Sequence, residues 1–535
     1  MNNTPDPHIA FLSGLTGRYK IAALSALAFI CGAVMVAAMP PWHLWPALML
    51  GFSGFYLLLA RCDSARTSFL YGWGFGFGYF LCSLSWIANA LLVEGNDFSW
   101  VWPLAIAGLP AGLALFYGFA AMAVSRLTAR YGGLGSGYGY SLFIAIFMIA
   151  EWLRGHIFTG FPWNLYGYSL AHSDPLSQLA AYGGVYWLSL LSLCLAALPG
   201  FLMIWQQRTA LKAGILCGVI ILVFTAIAGG QYRLARYPAT FHDDLVVRLV
   251  QPNIAQEDKW RAEMATANLR TLLDLSTARM PDTIRPYKTL IIWPETAITD
   301  FALQNENAST AILRMLESYD GQATLLSGVL RYQDSDDHRH YFNSLVAYDT
   351  QLQPLHVFDK AHLVPFGEYV PFGDILSMVP FVNHTGFVAG DGLATAAIDS
   401  VPPYSPLVCY EIIFPGKAVL PGDRPQWIVN VTNDAWYGDS GGPRQHFTKA
   451  RFRAIEEGLP VVRSANTGIS GVIDPLGRVV HNIPLMTRAA PDIALPRPLP
   501  HVTLFARYGN LLFWATLLLL LLPVALHEAQ RIRRP

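Results

Sequence analysis

The chain of 535 residues is 53% hydrophobic and only 13% charged, with a mean hydropathy of +0.36 and a formal net charge of zero. This composition leaves the soluble globular range for the membrane class. A balanced charge without a run of five Lys or Arg also excludes the electrostatic footprint of a nucleic-acid-binding protein.

Acidic residues concentrate between about 240 and 500, while the first 230 residues and the last 30 read as long apolar runs with short polar gaps. Crossing about 30 Å of hydrocarbon takes roughly 20 helical residues. Eight stretches approach or exceed that length, near 20–39, 44–60, 68–93, 101–124, 138–153, 176–205, 211–229 and 509–526; the second and fifth are the shortest. Seven fall in a membrane domain over 1–230, and the eighth follows an outer domain over 241–500. No clear small-residue cleavage site follows the first stretch, which therefore reads as a retained helix. In the third, Gly72, Gly74, Gly76 and Gly78 give two overlapping GxxxG spacings, which favour close helix packing over a substrate path.

The short loops divide by charge. Arg18, Lys20, Arg61, Arg66, Arg126, Arg130, Arg208, Lys212, Arg531, Arg533 and Arg534 fall on one side, and the opposite loops hold little beyond Arg154. Lys and Arg mark the cytoplasmic face. Both termini are then expected in the cytoplasm and the outer domain outside it, in the periplasm if the chain sits in a bacterial inner membrane. In that oxidising compartment Cys409 stands alone. Cys31, Cys82, Cys194 and Cys217 lie in predicted membrane helices, and Cys62 lies in a cytoplasmic loop. An unpaired exported cysteine is either a free reactive thiol or a small buried hydrophobe, and the count alone leaves both readings open.

In the outer domain, strands are predicted at 245–251, 289–293, 323–330, 344–349, 406–409, 427–431, 461–465 and 470–473, and helices at about 257–279, 306–318 and 443–457. Their alternation argues for an α/β layered domain. Three apolar runs end in a residue with chemistry: Leu290-Ile-Ile-Trp-Pro-Glu295, His356-Val-Phe-Asp-Lys360 and Leu407-Val-Cys409. Strand ends in α/β sheets face the crevice where ligands bind. A thiol of pKa about 8.5 is scarcely ionised at neutral pH, so it needs a base or a neighbouring cation. Glu295 can take its proton and return it to a leaving group. Lys360 can favour the thiolate and stabilise an oxyanion. Together they describe acyl transfer through a thioester.

At these residues the chain resembles the nitrilase superfamily, and more closely the bacterial apolipoprotein N-acyltransferase family. The resemblance rests on Gly160-Phe-Pro-Trp163, Leu249-Val-Gln-Pro-Asn253, Trp293-Pro-Glu-Thr-Ala297, Lys360-Ala-His-Leu-Val-Pro-Phe-Gly-Glu-Tyr369, Cys409-Tyr-Glu411 and Asn433-Asp-Ala-Trp436, spread over most of the chain. It implies a polytopic α-helical membrane bundle of about eight helices plus a nitrilase-like α-β-β-α sandwich domain. It implies Glu295 as general base, Lys360 as oxyanion-stabilising lysine and Cys409 as nucleophile. Glu368 becomes a further active-site glutamate, Tyr410 and Glu411 supporting residues, Asn343 a polar neighbour, and Trp260 and Trp436 aromatic positions near a lipid-binding cleft. The implied reaction is ping-pong. Cys409 takes an acyl chain from a phospholipid donor and passes it to the N-terminal amine of the diacylglyceryl-cysteine of an apolipoprotein acceptor. No cofactor is implied, and neither of the short metal signals HExxH and CxxC occurs, nor does a GxSxG elbow. The protein is expected to act as a monomer.

The segment 371–382 is unusually apolar for a loop. Phe372, Ile375, Leu376, Met378 and Phe381 could form a lipid-touching lid over the site, with a core helix as the competing reading. His362 reads as a structural hydrogen-bond partner rather than a second base. Two other functions fit part of the pattern. One is a membrane-anchored nitrilase-type amidase in which water takes the acyl group. The other is a transporter or scaffold, against which the scarcity of charges within the helices counts.

Overall fold

In the computed structural model, residues 18–93, 99–278, 288–319, 323–335, 339–365, 367–369, 386–399 and 401–532 are described. Helices form at every predicted apolar stretch. The first seven are α1 (Arg18–Met35), α2 (Pro46–Leu59), α3 (Ala65–Leu84), α4 (Trp102–Thr128), α5 (Gly137–Arg154), α6 (Ala180–Ile204) and α7 (Thr209–Arg236). After the outer domain comes a last helix, Leu511–Ile532. Among the described residues, six helices are long and apolar enough to span a membrane: α1, α3, α4, α6, α7 and the last. The other two are the stretches shortest in sequence. The 14 residues of α2 reach only about 21 Å, and α5 carries the charged Glu151 and Arg154 in its last turn.

Side-chain caps start several of these helices. Ser64 accepts from the Thr67 N–H and Ser136 from the Gly139 N–H, each satisfying an orphan donor. Alternate glycines of α3 let two neighbours approach at once. A Cβ at Gly76 would press on Tyr117 of α4, and one at Gly78 would collide with the Phe29 carbonyl of α1. Packing therefore accounts for the glycine pattern. The charges of α5 are internally matched. Arg154 and Glu151 are fully buried and joined at 2.8 Å, Tyr117 donates to Glu151 at 2.7 Å, and Arg154 donates to the Trp163 carbonyl at 3.0 Å.

The outer domain is built from two sheets. One follows the order β13-β1-β2-β4-β5-β6, with β3 pairing β4; the other runs β12-β11-β10-β9-β8-β7. In the first are β1 (Phe241–Leu249), β2 (Lys288–Ile292), β3 (Ile298–Thr299), β4 (Ala323–Asp334), β5 (Arg339–Tyr348), β6 (Pro354–Asp359) and β13 (Asp492–Pro496). The second contains β7 (Ala396–Ile398), β8 (Val401–Val408), β9 (Trp427–Thr432), β10 (Val461–Ala465), β11 (Ser470–Ile473) and β12 (Val479–Ile483). Parallel pairs β1–β2, β2–β4, β8–β9 and β9–β10 bring several carboxyl ends together.

Strand alternation sorts the side chains into layers. Leu290 and Ile292 pack with Val408, Val429 and Val431 between the sheets. Ile291 and Trp293 point to the other side, against Leu272 of α8 (Ala265–Thr277) and Ile312 and Leu316 of α9 (Glu306–Glu317). The second sheet is covered by α10 (Gly441–Glu457), whose Phe452 and Ile455 join one continuous core with membrane residues such as Trp163 and Tyr168. The result is the expected α-β-β-α sandwich, seated on the bundle through its α10 layer. The last membrane helix is α11.

The expected helix over 257–279 is not continuous. Gln256–Lys259 forms one short turn, Trp260 and Arg261 leave the helix, and a 3-10 turn over Ala262–Met264 precedes α8. The Asn268 side chain donates to the Asp258 carbonyl at 3.0 Å and fixes this break.

Alternate membrane connections touch the domain. The Pro40 carbonyl accepts from Gln445 at 3.3 Å, Asn89 donates to the Tyr437 carbonyl at 3.0 Å, and Trp163 donates to Gln445 at 2.7 Å. Arg61, Arg130 and Arg208 belong to the other set of connections.

Candidate active site

Glu295 sits just past the end of β2, in a turn pressed against β4. A Cβ at Gly328 would come within 2.5 Å of the Glu295 Cα, so only glycine admits the turn there. Lys360 follows β6, and its N–H donates to the Asn343 carbonyl of β5 at 2.8 Å. Cys409 follows β8 and has a left-handed backbone, φ +52°, at the head of a 3-10 turn over Cys409–Ile413. A non-glycine residue in that region is held by its surroundings, a form of strain that clusters at functional sites. Two groups thus come from one sheet and the third from the other.

The site is knit by charge. Lys360 Nζ lies 2.8 Å from Glu368 and 3.9 Å from Glu295 Oε1. Asn343 Nδ2 donates to Glu295 Oε1 at 2.7 Å and to Glu368 Oε1 at 3.0 Å. The Val364 N–H adds a 2.8 Å bond to Glu368 Oε2. Burial opposes the charge of Lys360, but Glu368, Cys409 and Glu295 outweigh it and raise its pKa above the ordinary lysine value. Burial pushes the half-buried Cys409 thiol well above its usual range; Glu295 adds to the rise and Lys360 opposes it. The resting Cys409 side chain is therefore a neutral thiol, and forming its thiolate would take a proton acceptor rather than the cation alone.

Glu411 ties the turn at Cys409 to the loop after Lys360. Its Oε1 accepts from the N–H groups of Ala361 at 2.9 Å and His362 at 3.0 Å, and its Oε2 accepts from Val408 at 2.8 Å. Burial raises its pKa to about 7 against the pull of those N–H groups. Tyr410 points the other way and donates to the Gly160 carbonyl of the membrane domain at 3.1 Å. His362 is the structural partner expected: its backbone donates to Glu411 and its ring bonds the Thr159 carbonyl. Burial and the cations Lys417 and Lys360 push that ring to about 4, which leaves it neutral.

Trp260 and Trp436 are exposed at the surface, each beside a residue that approaches the site, Lys259 and Tyr437. Phe372, Met378 and Phe381, with the proposed lid, lie outside the described residues. Three features escaped the sequence reading. Lys259, inside the broken helix, donates to the Glu295 carbonyl at 2.9 Å. Tyr437 stands in the electrostatic field of Cys409, Glu295 and Glu368. Below Cys409, His446 lies 3.1 Å from the Cys409 carbonyl and 2.9 Å from Asp434, which pairs with Arg463 at 2.7 Å. No signal in the sequence marked the last of these, because α10 is polar in sequence and nearly all buried in the structure. Among the described residues, no cluster of His, Cys, Asp and Glu could hold a metal ion.

Residues 31–198 match the family model described as the apolipoprotein N-acyltransferase N-terminal domain, and residues 246–494 match that of carbon-nitrogen hydrolase. The apolipoprotein N-acyltransferase of Rhodopseudomonas palustris is 36% identical over 503 residues, covering 91% of this chain and 92% of that protein. The Agrobacterium fabrum protein of the same name is 39% identical over 488 residues, covering 87% and 89%. A crystallised CN-hydrolase superfamily protein of Xanthomonas campestris is 21% identical, covering 50% of this chain and 96% of that one, with a TM-score of 0.34. The chain belongs to the apolipoprotein N-acyltransferase family.

Proposed function

We propose that this chain moves an acyl chain from a phospholipid, through a thioester on Cys409, to the N-terminal amine of the diacylglyceryl-cysteine of apolipoproteins, giving mature triacylated lipoproteins. The carrying observation is the convergence of Lys360, Glu295 and Glu368 beside the one cysteine of the outer domain.

In the first half-reaction Glu295 takes the thiol proton as sulfur attacks the ester carbonyl carbon. Negative charge develops on the carbonyl oxygen, where the Lys360 ammonium can meet it. Collapse breaks the acyl–oxygen bond; the glycerol oxygen takes the proton from Glu295 and leaves as lysophospholipid. In the second half the acceptor amine attacks the thioester, Glu295 takes an amine proton, and Cys409 regains a proton as the amide forms. Asn343 and Glu368 hold the base and the lysine in register. Trp260 and Trp436 meet lipid at the mouth.

The membrane parts serve two anchored substrates. The chain is a multi-pass membrane protein of bacterial family, and eight crossings, with the basic connections in the cytoplasm, put the catalytic domain in the periplasm. The domains are then 1–230 and 241–500, closed by a helix at 509–526. The protein works as a monomer. Incubation of the purified protein with phospholipid and a diacylated lipopeptide tests the assignment. Transfer predicts an amide-linked third acyl chain on the lipopeptide, and release of free fatty acid without that product would refute it.

A further inference from the structure

The break in the predicted 257–279 helix delivers a charge to the site. Gln256 is held by Asn433 Nδ2 at 2.8 Å and the Asp258 carbonyl by Asn268 at 3.0 Å, so the turn between them is fixed at both ends. Its neighbours Glu257 and Trp260 face solvent, whereas Lys259 is partly buried and reaches the Glu295 carbonyl at 2.9 Å. Among the described residues no carboxylate lies within ion-pair distance of Lys259, while Lys360 has two. Burial lowers Lys259 to about 8 against the opposing pull of Glu295 and Cys409.

The charges facing this point come from several elements. Glu295 arrives from the end of β2, Lys360 and Glu368 from the loop after β6, and Glu411 from the turn after β8. Tyr437 and Asp434 come from the turn after β9, and His446 from α10, with Asp434 already matched by Arg463. The carboxylates Glu295 and Glu368 outnumber the one cation Lys360, with Glu411 engaged by three backbone N–H groups, so beside a neutral thiol the reacting cluster carries one negative charge in excess. Moving the thiol proton to Glu295 and forming the oxyanion leaves the same excess. A second cation cancels it at both stages, and negative excess is what disfavours losing the thiol proton.

We propose that Lys259 is a positioning residue of this site, a second cation anchored on the Glu295 carbonyl that offsets the excess negative charge of Glu295 and Glu368 and so keeps proton transfer from Cys409 accessible near neutral pH. This rests on the reading of Cys409 as nucleophile. It assigns Lys259 no contact with substrate.

Three variants of the full-length protein in detergent separate charge from hydrogen bonding. Lys259→Arg keeps both, Lys259→Gln keeps a donor without charge, and Lys259→Met keeps neither. Iodoacetamide labelling mapped to Cys409 at fixed pH between about 6 and 7.5, where Lys259 is charged, and without lipid, reads the thiolate fraction directly. The Gln and Met variants are expected to label about 10-fold more slowly there, with Arg close to wild type. Acylation by phospholipid in the same pH window should fall in the same order. If Gln behaves as wild type, the hydrogen bond alone matters and the proposal falls. The Gln–Arg comparison survives even if Met fails to fold. Failure of the wild type to form an acyl-enzyme would sink the functional reading instead, while the labelling rates near neutral pH would still judge Lys259.

Discussion

Asn343 is the most exacting test of how the carboxylates are kept apart. Its Nδ2 donates to Glu295 at 2.7 Å and Glu368 at 3.0 Å, so a single amide separates two acids that share Lys360. Asn343→Asp replaces that donor with a third negative group of the same shape. At about 3 Å and an effective dielectric near 20, each like-charge contact costs about 5 kcal/mol, and the cluster relieves it by holding a proton. Neighbouring like charge raises carboxyl pKa by about 1 to 3 units. The acid limb of Cys409 acylation should therefore climb by about that much, so the single-turnover rate should drop by about 10- to 1,000-fold at pH values below the wild-type limb and by no more than a few-fold at pH 7. Asn343→Leu removes two charge-assisted bonds of about 1.5–3 kcal/mol each without adding charge, so it should slow acylation with a smaller shift of the limb. Rapid-quench intact mass against pH measures both. An Asp variant with the wild-type acid limb would show that Asn343 does not govern the base.

Three further outcomes follow from buried charge. Arg154→Met strands Glu151 in the bundle and should cost about 3–5 kcal/mol in detergent unfolding, whereas an exposed Arg such as Arg270 should cost little when truncated. Burial alone would raise Asp434, but Arg463 and His446 outweigh it and hold the carboxyl well below its usual range. A depressed acid stabilises the fold above its unfolded value of about 3.9 and loses that contribution as pH falls toward the folded value. Wild-type melting temperature should then drop below about pH 4, and Asp434→Asn should be less stable at neutral pH by about 3–5 kcal/mol with a flatter acid limb. Glu411→Gln sets an amide NH2 against the Val408 N–H and should cost about 1–3 kcal/mol, with slower acylation, both read on the same preparation.

The apolar runs foretold where helices form because hydropathy over about 20 residues is a local signal, and six of the eight are long and apolar enough to span a membrane. The ends of β2, β6 and β8 were legible for a similar reason: each couples a short apolar run to one chemical residue, and the fold converges those ends. Residue pairing was less legible. Nothing in the amphipathic pattern of 257–279 announces the break after Lys259, which depends on the Asn268 bond to Asp258 and on distant Asn433. The sequence of α10 looks like a solvent-facing helix, yet Arg453 pairs with Glu456 at 2.7 Å and His446 meets Asp434, so charge neutralisation permits its burial. Strands β7, β12 and β13 were not predicted; each lies at the edge of its sheet. Glu411 read only as a supporting residue; its clamp on Ala361, His362 and Val408 emerges once two loops from different sheets meet.

The central claim concerns Cys409, and intact-protein mass spectrometry addresses it most directly. After incubation with phospholipid alone, the wild-type protein should carry one acyl mass, mapped to Cys409 and released by hydroxylamine, and Cys409→Ala should carry none. Product formation by a wild-type enzyme that never shows this adduct, or by the Cys409→Ala variant, would contradict the thioester account.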